Sequence, residues 1–206
     1  MKITAAILVA VMLGTGARPL QARHRKEEKA IAYLDDSAGV EGMVLLDAQS
    51  LAARMFRTVG VRLEWHVGRL APSPSERPLI VELVTNTPEN FHRGALAFTG
   101  PYERIHITVF YDRVYDIGVH SRITTQLLAH VLVHEITHIL QGITRHSETG
   151  IMKAHWTPED YEEMQLRPLS FTRKDVELIQ IGLASPTSCA RPNSILGEQR
   201  FCQPEL

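Results

Sequence analysis

Residues 127–141 form a strongly apolar run of Leu127, Leu128, Val131, Leu132, Val133, Ile136, Ile139 and Leu140, into which His134, Glu135 and His138 are set. Such a run suits a helix threaded through a core. On a helix, side chains four apart share a face, with roughly 5–6 Å between Cβ atoms. The imidazoles of His134 and His138 can therefore grip one ion. Two neutral imidazoles fix zinc from a rigid helix, and a third protein ligand leaves the fourth position for water. Zinc brings the pKa of that water to about 7, where a neighbouring carboxylate can take its proton. Glu135 follows the first histidine directly, so it falls beside the ligand set and is the expected base. Two histidines at this spacing also occur as hydrogen-bonded core residues; the glycine and third histidine that follow at short range favour the zinc site.

His134-Glu135-x-x-His138, Gly142, His146-Ser147 and Gly150-Ile151-Met152 together resemble the metzincin clan of zinc endopeptidases. The His-Ser pair followed closely by Met is most similar to the matrixin branch. The resemblance implies one catalytic Zn²⁺ held by His134, His138 and His146, with Glu135 as general base and a methionine turn at Met152 beneath the metal. It also implies an α+β domain, with a small twisted mixed sheet packed on an active-site helix and other helices, and a C-terminal helix. The implied reaction is hydrolysis of peptide bonds in a protein or peptide substrate. The clan pattern places Gly three and His six residues after the second histidine, whereas Gly142 and His146 lie four and eight after His138. This third-ligand loop is thus two residues longer than the pattern. Gly142 can end the helix in a left-handed conformation, and residues 143–145 must then bring His146 back. Glu148 is the alternative third ligand, since zinc also accepts carboxylate oxygen. In the clan, an edge strand above the zinc binds extended substrate by strand addition. Ala95, Leu96 and Ala97 resemble that strand, with an ordinary hairpin strand as the competing reading. Residues 18–45 hold no cysteine to cap the zinc, so matrixin-type latency is not expected.

The chain has 206 residues, a formal net charge of −1, 44% hydrophobic and 22% charged residues, which suits one domain with a real core and gives no electrostatic footprint for nucleic acid. Met1-Lys2 and the apolar run from Ile3 to Leu13 read as a signal peptide over residues 1–22, with cleavage near residue 17 or 22. The run is shorter than the roughly 20 residues that span a bilayer, so export to a secreted or periplasmic location, without stable membrane insertion after cleavage, is expected. The basic residues Arg23, Arg25 and Lys26 oppose export orientation, and an uncleaved anchor is the alternative. Residues 23–42 read as a linker or short helix, and 43–206 as a single catalytic domain with a C-terminal tail. Cys189 and Cys202 lie in that tail and are expected to pair as a disulfide in an exported protein.

Helical spacing of Leu51, Met55, Phe56 and Val59 predicts a helix over 47–58. Strands are expected at 61–65, 79–84, 94–98 and 105–111. Ser121 or Thr124 is expected to cap the central helix, and capping patterns open further helices at Thr157 and Thr172. His130, four before His134, reads as a packed, hydrogen-bonded histidine more readily than as a partner to a ligand. Trp156 reads as core and His155 as surface. Tyr161 lies too far along the chain to be assigned an oxyanion role. Two other functions compete: an exported zinc-binding protein without turnover, and a zinc hydrolase of a non-peptide amide. Glu135 argues against the first, because a structural site has no use for a base and prefers four protein ligands.

Overall fold

The structure, a computed structural model, describes residues 27–68, 78–87, 94–99 and 105–185. Its elements are β1 (Glu28–Asp36), α1 (Gly42–Arg57), β2 (Val61–Val67), β3 (Leu79–Val84), β4 (Ala97–Thr99), β5 (His106–Phe110), α2 (Tyr111–Ser121), α3 (Thr124–Gln141), α4 (Pro158–Leu166) and α5 (Arg173–Ala184). The five strands form one mixed sheet in the order β2-β1-β3-β5-β4. The first four are parallel, and β4 runs antiparallel to β5 at the edge. The fold is α+β with a C-terminal helix, as expected.

Alternation builds the sheet's core face: Leu79, Val81 and Leu83 on β3 are buried, as are Ile107 and Val109 on β5. Helix α1 meets the core with Ala48, Leu51, Ala52, Met55 and Phe56, one stripe at helical spacing. Helix α3 is different. Its positions 127–134 are all buried, so it runs between the sheet side and α5 instead of lying on the surface. Helices α1 and α3 pack on each other, and α5 closes on the C-terminal end of α3. That approach is so close that a Cβ on Gly182 would lie 1.9 Å from the Leu140 carbonyl oxygen.

Three expectations are corrected. Residues 28–36 belong to the sheet's interior as β1, hydrogen-bonded to β2 on one side and β3 on the other, and are not a linker. The strand's buried face is Ala30, Ala32 and Leu34, and alanine carries little strand signal. The strand expected over 105–111 is shorter, β5 ending at Phe110, and Tyr111 instead opens α2, which follows β5 without a break. Neither Ser121 nor Thr124 caps α3: Ile123 holds the cap position without a side-chain bond. Helix α2 instead ends at Arg122 in the left-handed region (φ 56°), and the Ile123 N–H donates to the Gly118 carbonyl at 2.8 Å. Gly118 is needed there, since its Cβ would come within 2.6 Å of Thr124 Cα. The expected signal peptide, Cys189 and Cys202 lie outside the described residues.

Candidate metal centre

Helix α3 presents His134 and His138 one turn apart, and their Nε2 atoms lie 3.0 Å apart. The third histidine comes from the loop after α3. Gly142 ends the helix with φ 70°, its N–H bonded back to the His138 carbonyl at 3.0 Å. Residues 143–145 then turn the chain so that His146 returns, its ring centroid 5.3 Å from that of His134 and 4.9 Å from that of His138. One ligand atom from each of the three lies within 4.8 Å of the others. Glu148 is exposed and stands outside this cluster. The two additional loop residues therefore do not prevent closure of the triad.

The outer hydrogen bonds set the tautomers. His134 Nδ1 lies 2.9 Å from the Ile151 carbonyl, and His138 Nδ1 lies 3.2 Å from the Ile143 carbonyl. A carbonyl only accepts, so both Nδ1 atoms carry the proton and both Nε2 atoms present lone pairs. Burial, the main cause, lowers the pKa of each of these two histidines to about 4 and keeps the rings neutral. Two lone pairs facing each other at 3.0 Å repel unless a cation lies between them. Zinc with Zn–N bonds of about 2.0–2.1 Å in tetrahedral geometry sets nitrogens about 3.3 Å apart, so the donor set fits such an ion. The carbonyl contacts are the ones that orient metal-bound imidazoles.

The turn that carries Met152 meets the triad through the Ile151 carbonyl, against His134 Nδ1. Gly150 adopts φ 76°, and a Cβ there would meet the Ser170 carbonyl oxygen at 2.2 Å. The Ile151 N–H donates to that same oxygen at 3.0 Å, and the Ser147 N–H donates to the Met152 carbonyl at 2.7 Å. Ile151 and Met152 are both fully buried. The turn thus joins the end of the His146 loop to the segment before α5.

Glu135 points toward the edge of the sheet, where Thr99 Oγ1 on β4 donates to its Oε2 at 2.5 Å. Withdrawal from water pushes the Glu135 carboxyl above its usual range, while the Thr99 bond, His138 and His146 pull it back. A raised carboxyl suits a proton acceptor working near neutral pH.

A cleft of about 430 Å³ opens beside these groups. Ala95, Leu96, Ala97, Ile117 of α2 and Val131 of α3 line it, and of the first three, expected to form a substrate strand there, only Ala97 belongs to β4. Lys153, His155, Trp156 and Tyr161 line it as well. Trp156 packs against the core, as expected, and also stands edge-on to His134 with ring centroids 5.7 Å apart; His155 is at the surface, as expected, where it lines the cleft. Lys153 pairs with Asp160, which also accepts the Thr157 N–H at 2.7 Å at the start of α4. His130 is a structural histidine. Its Nδ1 donates to the Gln126 carbonyl at 2.6 Å, and its Nε2 accepts the Leu169 N–H at 3.0 Å. Thr99 and Ile117 escaped notice in the sequence. Ile117 had a signal, the three- and four-residue spacing of Tyr111, Val114 and Gly118 on α2; Thr99 had none.

No protein-family profile and no curated protein sequence matches this chain. Among solved structures, the fold is similar to the crystal structure of archaemetzincin from Methanopyrus kandleri, with a TM-score of 0.52 and 14% identity, covering 78% of this chain and 98% of that one. At that identity the likeness is one of fold. The chain is a mixed α+β protein of zincin-like fold with a histidine triad able to hold a metal ion.

Proposed function

We propose that the protein is an exported zinc-dependent endopeptidase of metzincin type. The observation that carries the reading is the pair of Nε2 lone pairs 3.0 Å apart, both Nδ1 protons being committed to carbonyls, with His146 closing the triad and Glu135 beside it. His134, His138 and His146 would hold the ion, which supplies a Lewis acid for a water and a carbonyl oxygen. Glu135 accepts the proton of the attacking water and returns it to the leaving nitrogen. The wall formed by Ala95, Leu96 and Ala97 supports an extended backbone in the cleft. The apolar run at residues 3–13 supports export. The archaemetzincin fold and the matrixin-like His146-Ser147 pair support a peptidase of this clan without fixing its branch.

Elemental analysis of the purified protein, with a casein cleavage assay on wild type and Glu135→Ala, tests this reading. One zinc per chain in both, and cleavage lowered by about 10²–10⁴-fold in the variant, is the expected result. Zinc without cleavage in the wild type would leave a binding protein or a hydrolase of another amide. Protein without zinc would reduce the triad to core histidines.

A further inference from the structure

Asp175, at the third position of α5, has a fully buried side chain, and every bond to its carboxylate has a clear purpose. Oδ2 accepts the N–H of Thr172 at 2.8 Å and its hydroxyl at 2.6 Å, closing a capping box at the start of α5. Oδ1 faces away from the helix. It accepts the Ser147 hydroxyl at 2.6 Å and Arg145 Nη1 at 3.2 Å. These are the residues on either side of His146. Arg145 also donates to Ser147 Oγ at 3.1 Å, so the three side chains form a closed triangle under the loop. The Asp175 main chain adds a further tie, its carbonyl accepting Gln141 Nε2 at 3.3 Å from the last residue of α3.

A buried carboxylate is costly unless its lone pairs are filled. The cap alone needs one oxygen; the second is spent on the loop. His146 itself is exposed and sits on a segment whose residues 143–146 and 148–149 are all exposed. Apart from the rings of His134 and His138, this exposed segment gives the imidazole little to pack on, so the anchors on its two neighbours carry much of its placement. We propose that Asp175 is a positioning residue for the third metal ligand: through Arg145 and Ser147 it fixes the backbone on both sides of His146 and keeps the imidazole aimed at His134 and His138. The proposal rests on reading His146 as a ligand.

The test is zinc affinity measured by competition with a chromophoric chelator, alongside hydrogen exchange at the Ser147 amide of the metal-free protein. Asp175→Asn is expected to weaken zinc binding by about 10–100-fold, the usual effect of losing a group that orients a ligand. In a His146→Ala background the same substitution should change affinity by less than about twofold, because its route to the metal is gone. Thr172→Ala removes the cap but not the triangle; it should lower the melting temperature while leaving affinity within about twofold. The Ser147 amide should exchange faster in Asp175→Asn and not in Thr172→Ala. An affinity loss of equal size with and without His146, or no change in either readout, would overturn the proposal. If Asp175→Asn does not fold, Ser147→Ala deletes two of the triangle's three bonds, and a loss below about twofold would overturn it equally. A wild type that takes up no zinc defeats the metal reading, and exchange at Ser147 then still decides whether Asp175 holds the loop.

Discussion

The two halves of the candidate metal centre reach similar positional order by different means. His134 and His138 ride on a helix whose neighbouring side chains, Leu132, Val133, Ile136 and Thr137, are buried, so close packing defines their position. His146 rides on an exposed loop, positioned by a left-handed glycine, a backbone bond from Ser147 to Met152 and the buried carboxylate of Asp175. Apolar packing is distributed and tolerant, since many contacts share the load. A few charged hydrogen bonds are concentrated, and loss of one partner leaves a buried group unsatisfied. Damage to the loop half should therefore be local and metal-linked, whereas damage to the helix half should reach the fold as well.

The comparison can be broken most severely at the ligands. His134→Ala should weaken zinc binding by more than about 10³-fold, close to 4 kcal/mol, and also lower the melting temperature by removing the bond to Ile151. His146→Ala should cost zinc affinity by orders of magnitude with little change in melting temperature. Equal thermal losses in the two variants would contradict the distinction. Next, Gly182→Ala drives a methyl into the Leu140 carbonyl, 1.9 Å away. It should cost upward of about 3 kcal/mol in urea unfolding and, by displacing α5, reduce zinc affinity through the loop half.

A pH experiment examines the helix half alone. Burial, the leading cause, lowers the His130 pKa to about 4 from the usual 6.5, so the folded protein keeps this ring neutral. Its stability contribution is complete above pH 6.5 and is lost as pH falls toward 4, because the unfolded chain binds the proton first. Between pH 7 and pH 4 the metal-free wild type should lose about 3 kcal/mol more than His130→Leu. The smallest effect is expected at Glu148→Ala, which should leave zinc affinity within about twofold; a larger loss would return the third-ligand role to that carboxylate.

What the sequence made legible follows the same division. Helix α3 and its two histidines could be read because an apolar run of helical length with His134 and His138 on one face has few other interpretations. Strand β3 was read with its observed bounds, since Leu79–Val84 is almost continuously apolar. The partner of the His146 loop could not be read: Asp175 follows Thr172 in a pattern that any helix start shows, and only the structure brings it under residues 28 and 30 positions earlier. The same holds for Thr99, a residue of ordinary strand type whose bond to Glu135 spans 36 positions. Strand β1 was missed for another reason, as alanines do its packing between charged ends.

That strand has a consequence for proteolysis. Residues Glu28–Leu34 pair with Val61–Val67, and Ala32–Asp36 pair with Leu79–Leu83, so β1 is the seam between two otherwise separate parts of the sheet. Processing near residue 17 or 22 would leave the seam whole. Removal of β1 would unstitch β2 from β3 and expose hydrogen-bonding edges on both, inviting pairing with other chains. The integrity of one strand near the N-terminus thus decides whether the sheet is a single unit or two.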